Sequence, residues 1–421
     1  MFMSRTYGFY SSAALFLLPA LCMVVPSGYG YGAGLLLLAA LFHAKAWREP
    51  RHMPAHGWWL YASFVGLALV WLLDDWLSAR GGRSFEKPLK ILVTLPCMWY
   101  LLVRRPRAEW LWRGVCFGVV AAFAYSAYQF FWQGNIRASA AMFPIHFADI
   151  VLMFGCMALC AWNWPVQRVL WWRAGLVAVA FLGLLASVFS GTRGAWLVFL
   201  LLLGVYLAYL ICSRKIGFKY MLAGIFGILL IGYGLCSLPQ LRIEARVKEA
   251  RDEVVWFYQN GTANTSVGAR LQMWGFAWDL YKTKPVFGWS YKGYRLEQTR
   301  RIADKKLDPR LDQDGFDHPH NELLNAAAKT GSVGLLALLL VYICPFFVFA
   351  RWFRRGIGNA RLRALSSAGM LVPVAYFGAG LTEAFLPHNS PAVIYFFMLV
   401  LIWGACLAVE ADSGSCANST V

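Results

Sequence analysis

Residues His318-Pro319-His320-Asn321-Glu322 place two imidazoles, an amide and a carboxylate side by side. Imidazole exchanges a proton near neutral pH, so a histidine here suits a general base or a group that orients a hydroxyl. The plainer reading is a pair of surface histidines beside a helix start. Pro319 suits the first turn of a helix, which would put His320 inside that helix with Glu322 and Asn325 and hold it more rigidly than His318. A zinc site on His318 and His320 lacks a third ligand of matching spacing.

Cationic residues form a second group of candidates. In Ser190-Gly191-Thr192-Arg193-Gly194-Ala195-Trp196 the glycines let the backbone approach a ligand closely, and Arg193 is the one base. Arg193 either forks a phosphate or carboxylate, or snorkels to water from an apolar segment. Arg270 and Trp274 stand one helical turn apart. They read as a second anion clamp or as a cation–π pair. Arg80, Arg83 and Lys87 form a basic rim for an anionic headgroup, or serve as partners for Asp74, Asp75 and Glu86. Asp149 and Glu383 fall in or at the edge of apolar runs, where a carboxylate pairs with a buried arginine or relays a proton.

Apolar helices must position these residues. Of 421 residues, 59% are hydrophobic and only 14% charged. Runs of about 20 apolar residues are the mark of bilayer-spanning helices. Twelve such runs are expected, the shortest at 87–102 and the ninth at 217–238. The chain reads as all-α and polytopic: nine spans in 1–238, one large, mainly helical loop in 239–330, and three spans plus a short tail in 331–421. Lys and Arg gather in alternate short connections, which orients both termini to the cytoplasm and the large loop to the outside. The net charge of +18 is thus a topology signal. Nucleic acid is excluded as a partner because the basic residues are spread among short loops. None of the ten cysteines falls in 239–330, so that loop has no disulfide framework.

Within the loop, the pattern predicts a charged helix over 241–258 and a second from a Ser266 cap to about Tyr281. In the second, Ala269, Met273, Phe276, Ala277 and Leu280 make an apolar stripe. A third helix is expected over 293–306.

Three stretches in order resemble the O-antigen ligase and polymerase superfamily. They are the Ser190–Trp196 hairpin, the Gly268-Ala269-Arg270 helix leading to Lys284-Pro285-Val286-Phe287-Gly288-Trp289, and the His320-Asn321-Glu322-Leu323-Leu324 stretch. Thr192 stands where serine is common before the arginine. Within the superfamily, the size and single large loop look most like the ligase. The resemblance implies a glycosyltransferase of the Gram-negative inner membrane with its site on the periplasmic side. It implies transfer of O-antigen from an undecaprenyl-diphosphate-linked donor to a sugar hydroxyl of lipid A–core, among membrane lipids and without a cofactor. His320, Arg193 and Arg270 would be the catalytic residues. Arg80, Arg83, Lys87, His318, Asn321, Glu322 and Trp274 would bind substrate. A polymerase and a protein O-oligosaccharyltransferase are the alternatives within the superfamily. A lipid-linked glycan or solute transporter is the alternative outside it.

Overall fold

The computed structural model describes residues 8–43, 52–79, 81–213, 243–260, 265–313 and 317–417. These residues are mostly helical, and no strand occurs among them. Among the described residues, seven helices are long and apolar enough to cross a membrane: Ala55–Leu77, Glu109–Phe131, Pro144–Asn163, Val169–Phe189, Glu322–Arg355, Ala360–Gly380 and Asn389–Asp412. Phe9–Leu21, Tyr29–Phe42 and Ala195–Val205 are shorter apolar helices. The twelve expected spans are therefore not reached among the described residues. The expected run at 87–102 is divided into Glu86–Leu92 and Thr94–Val103, each too short to span. The run at 217–238 lies outside the described residues.

The last long helix is the hub. Residues 391–409 are buried without interruption, as suits a helix that is apolar all round. Tyr395 donates to the carbonyl of Val341 at 2.7 Å, tying the hub to the helix Glu322–Arg355.

That long helix is two helices joined at a kink. Gly331 sits at φ +66, ψ −162, backbone that only glycine adopts without strain. The break frees two N–H groups, and Ser332 and Val333 donate them to the carbonyls of Pro285 and Val286 at 2.7 and 3.2 Å. Gly288 (φ +68) faces the same spot, where a Cβ would strike the backbone of Lys329. Trp289 N–H closes the joint on the carbonyl of Ala328 at 3.0 Å. The Lys284–Trp289 segment is thus a backbone dock for the kink. It follows directly on the helix Ser266–Thr283, which the Thr265 hydroxyl caps by accepting from Gly268 N–H at 3.0 Å. The expected cap, Ser266, is the first helical residue instead. The stripe Ala269, Met273, Phe276, Ala277 and Leu280 is buried as expected. It packs with Tyr294, Leu307 and Leu311 into a small separate core. The flanking loop helices run Ile243–Asn260 and Ser290–Ala303.

Candidate functional site

Asn321 decides where the kinked helix begins. Its side chain accepts the N–H of Leu324 at 3.0 Å, and the helix starts at Glu322. An amide cap satisfies an orphan helix donor, which Pro319 cannot do. His320 therefore lies just before the helix and not within it, a correction to the expected placement. It occupies φ +46, left-handed backbone that is unfavourable for a residue with a Cβ.

Two bonds hold it there. The backbone N–H of His320 donates to His318 Nδ1 at 3.2 Å. His320 Nδ1 lies 2.8 Å from Glu383 Oε2. A carboxylate only accepts, so the proton sits on Nδ1 and a neutral His320 presents its lone pair at Nε2. His318 has the mirror arrangement: Nδ1 accepts, and Nε2–H faces Glu383 Oε1 at 3.6 Å. Burial pushes the His318 imidazole down to about 4, further lowered by His320 against the pull of Glu383. It is neutral at pH 7, so its contacts with Asp317 and Glu383 are not ion pairs.

Glu383 is 1% exposed. Burial opposes its ionisation, but the bond from His320 and the neighbouring His388 and His318 rings hold it well below the usual carboxylate range. His388 Nε2 is 3.9 Å from Oε1, an electrostatic contact rather than a hydrogen bond. The N–H of Ala384 also donates to Oε1, at 2.9 Å.

Glu383 lies in the connection between Ala360–Gly380 and the hub helix, and two other site residues fix that connection. Asn321 Nδ2 donates to the carbonyl of Leu381 at 3.1 Å. Buried Glu322 accepts from Leu386 N–H at 2.9 Å and from the Tyr342 hydroxyl at 2.7 Å. Both expected substrate-binding side chains thus bond protein groups. Trp274 does the same, donating its indole N–H to the carbonyl of Pro319 at 2.8 Å.

Beside this cluster is a cavity of about 410 Å³, lined by Arg137, Arg193, Arg270 and Glu249 with Gly191, Thr192, Gly194 and Thr382. Arg193 reaches Glu249 at 3.4 Å and Glu253 at 3.9 Å. Burial lowers the Arg270 guanidinium, and the charges of Arg193 and Arg137 lower it further. Three arginines against one lining carboxylate, Glu249, leave the cavity net cationic, which favours an anion. Gly191 sits at φ +64 and gives the hairpin its turn. His320 does not line this cavity. Its partner Glu383 directly follows Thr382, which does.

On the other side of His318 is a smaller cavity of about 140 Å³. Asp74, Asp75, Asp317, Lys87, Tyr291 and Lys329 line it, with His318 and His388. Asp74 accepts the N–H of Tyr291 at 2.9 Å, and Lys329 Nζ donates to the carbonyl of Asp317 at 2.8 Å. Lys87 thus falls among carboxylates and apart from the arginines. Arg80 lies outside the described residues, and the backbone of Arg83 sits in the turn Gly82–Phe85.

Sequence reasoning did not single out Arg137 or His388, and it offered Glu383 an arginine or a proton path where the structure gives it histidines. The third metal-ligand position missing from the sequence also turns up: His318, His320 and Glu383 each offer an atom within 4.8 Å of the others. The direct 2.8 Å bond between His320 and Glu383 would have to open for a cation to be held between them.

Among known proteins, an uncharacterised protein of Haemophilus influenzae is 25% identical over 391 residues, which is 89% of this chain and 92% of that protein. The model of the O-antigen ligase family matches residues 178–339, the segment that holds the Arg193 hairpin, the Arg270 helix and His320. That match supports the chain's membership of the O-antigen ligase/polymerase superfamily.

Proposed function

We propose that the chain is an O-antigen ligase. It transfers O-antigen polysaccharide from undecaprenyl diphosphate to a sugar hydroxyl of lipid A–core, by a metal-independent, inverting route. The observation that carries this reading is the His320–Glu383 bond next to a cavity with three arginines.

The chemistry follows from the parts. The diphosphate occupies the arginine cavity, where Arg193 and Arg270 bind its oxygens and stabilise the charge that grows as it leaves. The acceptor hydroxyl gives its proton to His320 Nε2. Its oxygen forms the new bond to the anomeric carbon from the face opposite the departing diphosphate. The bond from that carbon to the diphosphate breaks, and the electron pair leaves with the diphosphate. Such a leaving group needs no general acid. Glu383 keeps the proton on Nδ1 and stabilises the imidazolium that forms, the role a buried carboxylate plays behind a catalytic histidine. The carboxylates and lysines of the smaller cavity are suited to the hydroxyls of the acceptor sugar. Asn321, Glu322 and Trp274 act as positioning residues. The cytoplasmic termini, the periplasmic site and the three-part division at 238 and 330 belong to the same proposal.

Purified protein supplied with the lipid-diphosphate glycan and lipid A–core tests the reading. Transfer to lipid A–core supports the ligase; chain extension of the donor alone assigns a polymerase instead. Activity that persists in a chelator supports the metal-free route. Loss restored by a divalent ion transfers the His318–His320–Glu383 cluster to a metal.

A further inference from the structure

We propose that a second cleft, at the end of the bundle remote from His320, binds an anionic glycerophospholipid. It lies between the start of the helix Ala55–Leu77 and the far half of the kinked helix, with a volume of about 660 Å³. The same two helices carry residues of the His320 region at their other ends: Asp74 on the first, Asn325 and Lys329 on the second. From His56 to Asp74 a helix rises roughly 27 Å, close to the thickness of a bilayer's hydrocarbon core. The cleft and the glycosyl-transfer site therefore face opposite leaflets.

One face of the kinked helix supplies both chemistries. Leu340, Ile343 and Phe347 follow each other at spacings of three and four, and Arg351 and Arg355 continue the same row. Phe347 is 64% exposed and so is Trp59 across the cleft. The wall is thus apolar toward mid-helix and cationic at the end, the order of an acyl chain and its headgroup. Among the described residues no carboxylate pairs with Arg351 or Arg355.

His56 adds a donor of fixed direction. The Trp403 indole N–H donates to His56 Nδ1 at 3.1 Å, which puts the imidazole proton on Nε2. Trp352 holds the ring from the side, 4.4 Å between centroids. The first turn of His56's helix has no acidic residue, so the helix dipole adds the same sign. Two arginines, an imidazole N–H and a helix start fit a phosphodiester, and the exposed aromatic walls fit the chain attached to it. Basic pockets between membrane helices are recurrent sites for anionic headgroups.

The test is lipid retention by the purified full chain, read by native mass spectrometry and by thermal shift in mixed micelles. Wild-type protein is expected to retain phosphatidylglycerol over phosphatidylethanolamine by at least tenfold, with no displacement by inorganic phosphate. Arg351→Gln/Arg355→Gln is expected to abolish that preference. Phe347→Ala, at an exposed position, is expected to weaken retention of both lipids. Equal retention of the two lipids by wild type, unchanged preference in the double variant, or displacement by phosphate alone would each overturn the proposal. The comparison of lipids on wild type decides the matter even where the double variant fails to fold.

Discussion

Glu383 Oε2 stands 2.8 Å from His320 Nδ1, although 63 residues separate them in the chain. The carboxylate is buried and the imidazole is only partly so, with side-chain exposures of 2% and 17%. The buried acceptor fixes the tautomer of a neutral ring, with the proton on Nδ1.

Glu383→Gln keeps the shape but replaces an acceptor with an amide that can present either its oxygen or its NH₂ to Nδ1. Removing the carboxylate behind a catalytic histidine costs about 10⁴-fold in turnover in a serine protease. We expect a fall of at least tenfold in kcat here, with donor KM changed much less. Steady-state transfer kinetics check it. An unchanged kcat would remove Glu383 from the mechanism.

Arg193→Lys, Arg270→Lys and Arg137→Ala each probe the anion cavity. A lysine keeps the charge but loses the planar fork. All three variants are expected to lose at least about tenfold in kcat/KM for the lipid-diphosphate donor, since charge-assisted hydrogen bonds contribute roughly 1.5–3 kcal/mol each. Binding of the donor measured without acceptor separates this loss from a loss of chemistry. Wild-type binding by Arg137→Ala would leave that residue out of the site.

Acidification is expected to destabilise the site before it destabilises the rest. The His318 imidazole titrates near 4 in the folded chain against about 6.5 unfolded. The unfolded chain then binds more protons between those values, so stability falls as pH drops from 6.5 toward 4. Glu383 acts in the same direction at lower pH, because its carboxyl is held below its ordinary value of 4.5. Melting temperatures between pH 4.5 and 7 should slope upward, and His318→Asn should flatten that slope. An equal slope in the variant would show that His318 is not the group responsible.

The dock between Gly288 and Gly331 carries the loop helices to the kink. Gly331→Ala forces a Cβ into left-handed backbone and against the carbonyl of Val286. The cost is about 1–3 kcal/mol or more. A lowered melting temperature and a reduced kcat should appear together, because the same joint holds the Arg270 helix. A variant as stable as wild type would show that the kink tolerates a side chain.

Much of this site was legible in the sequence where a local pattern encodes it. His320 stands out by composition, Arg193 by its glycines, and the Arg270 helix by its apolar stripe. Glu383 and His388 were less legible because the connection that carries them has no period or motif of its own. Its path is set by Asn321 and Glu322, residues whose bonds to Leu381 and Leu386 span more than 50 positions. Arg137 looked like one more loop arginine until folding brought it beside Arg193. The Pro319 signal puts His320 inside a helix, but the Asn321 side chain caps the helix so that it starts at Glu322, three residues after Pro319. The expected run at 87–102 shows a related effect: hydropathy sees an apolar run but not the turn that cuts it between Leu92 and Thr94.

The most direct measurement is single-turnover transfer by His320→Ala, with donor binding followed in parallel. The mechanism requires glycan transfer to lipid A–core to fall by at least about 10²-fold, the usual contribution of a general base, with the donor still bound within a few-fold of wild type. Transfer at the wild-type rate would contradict it, whatever the arginines do.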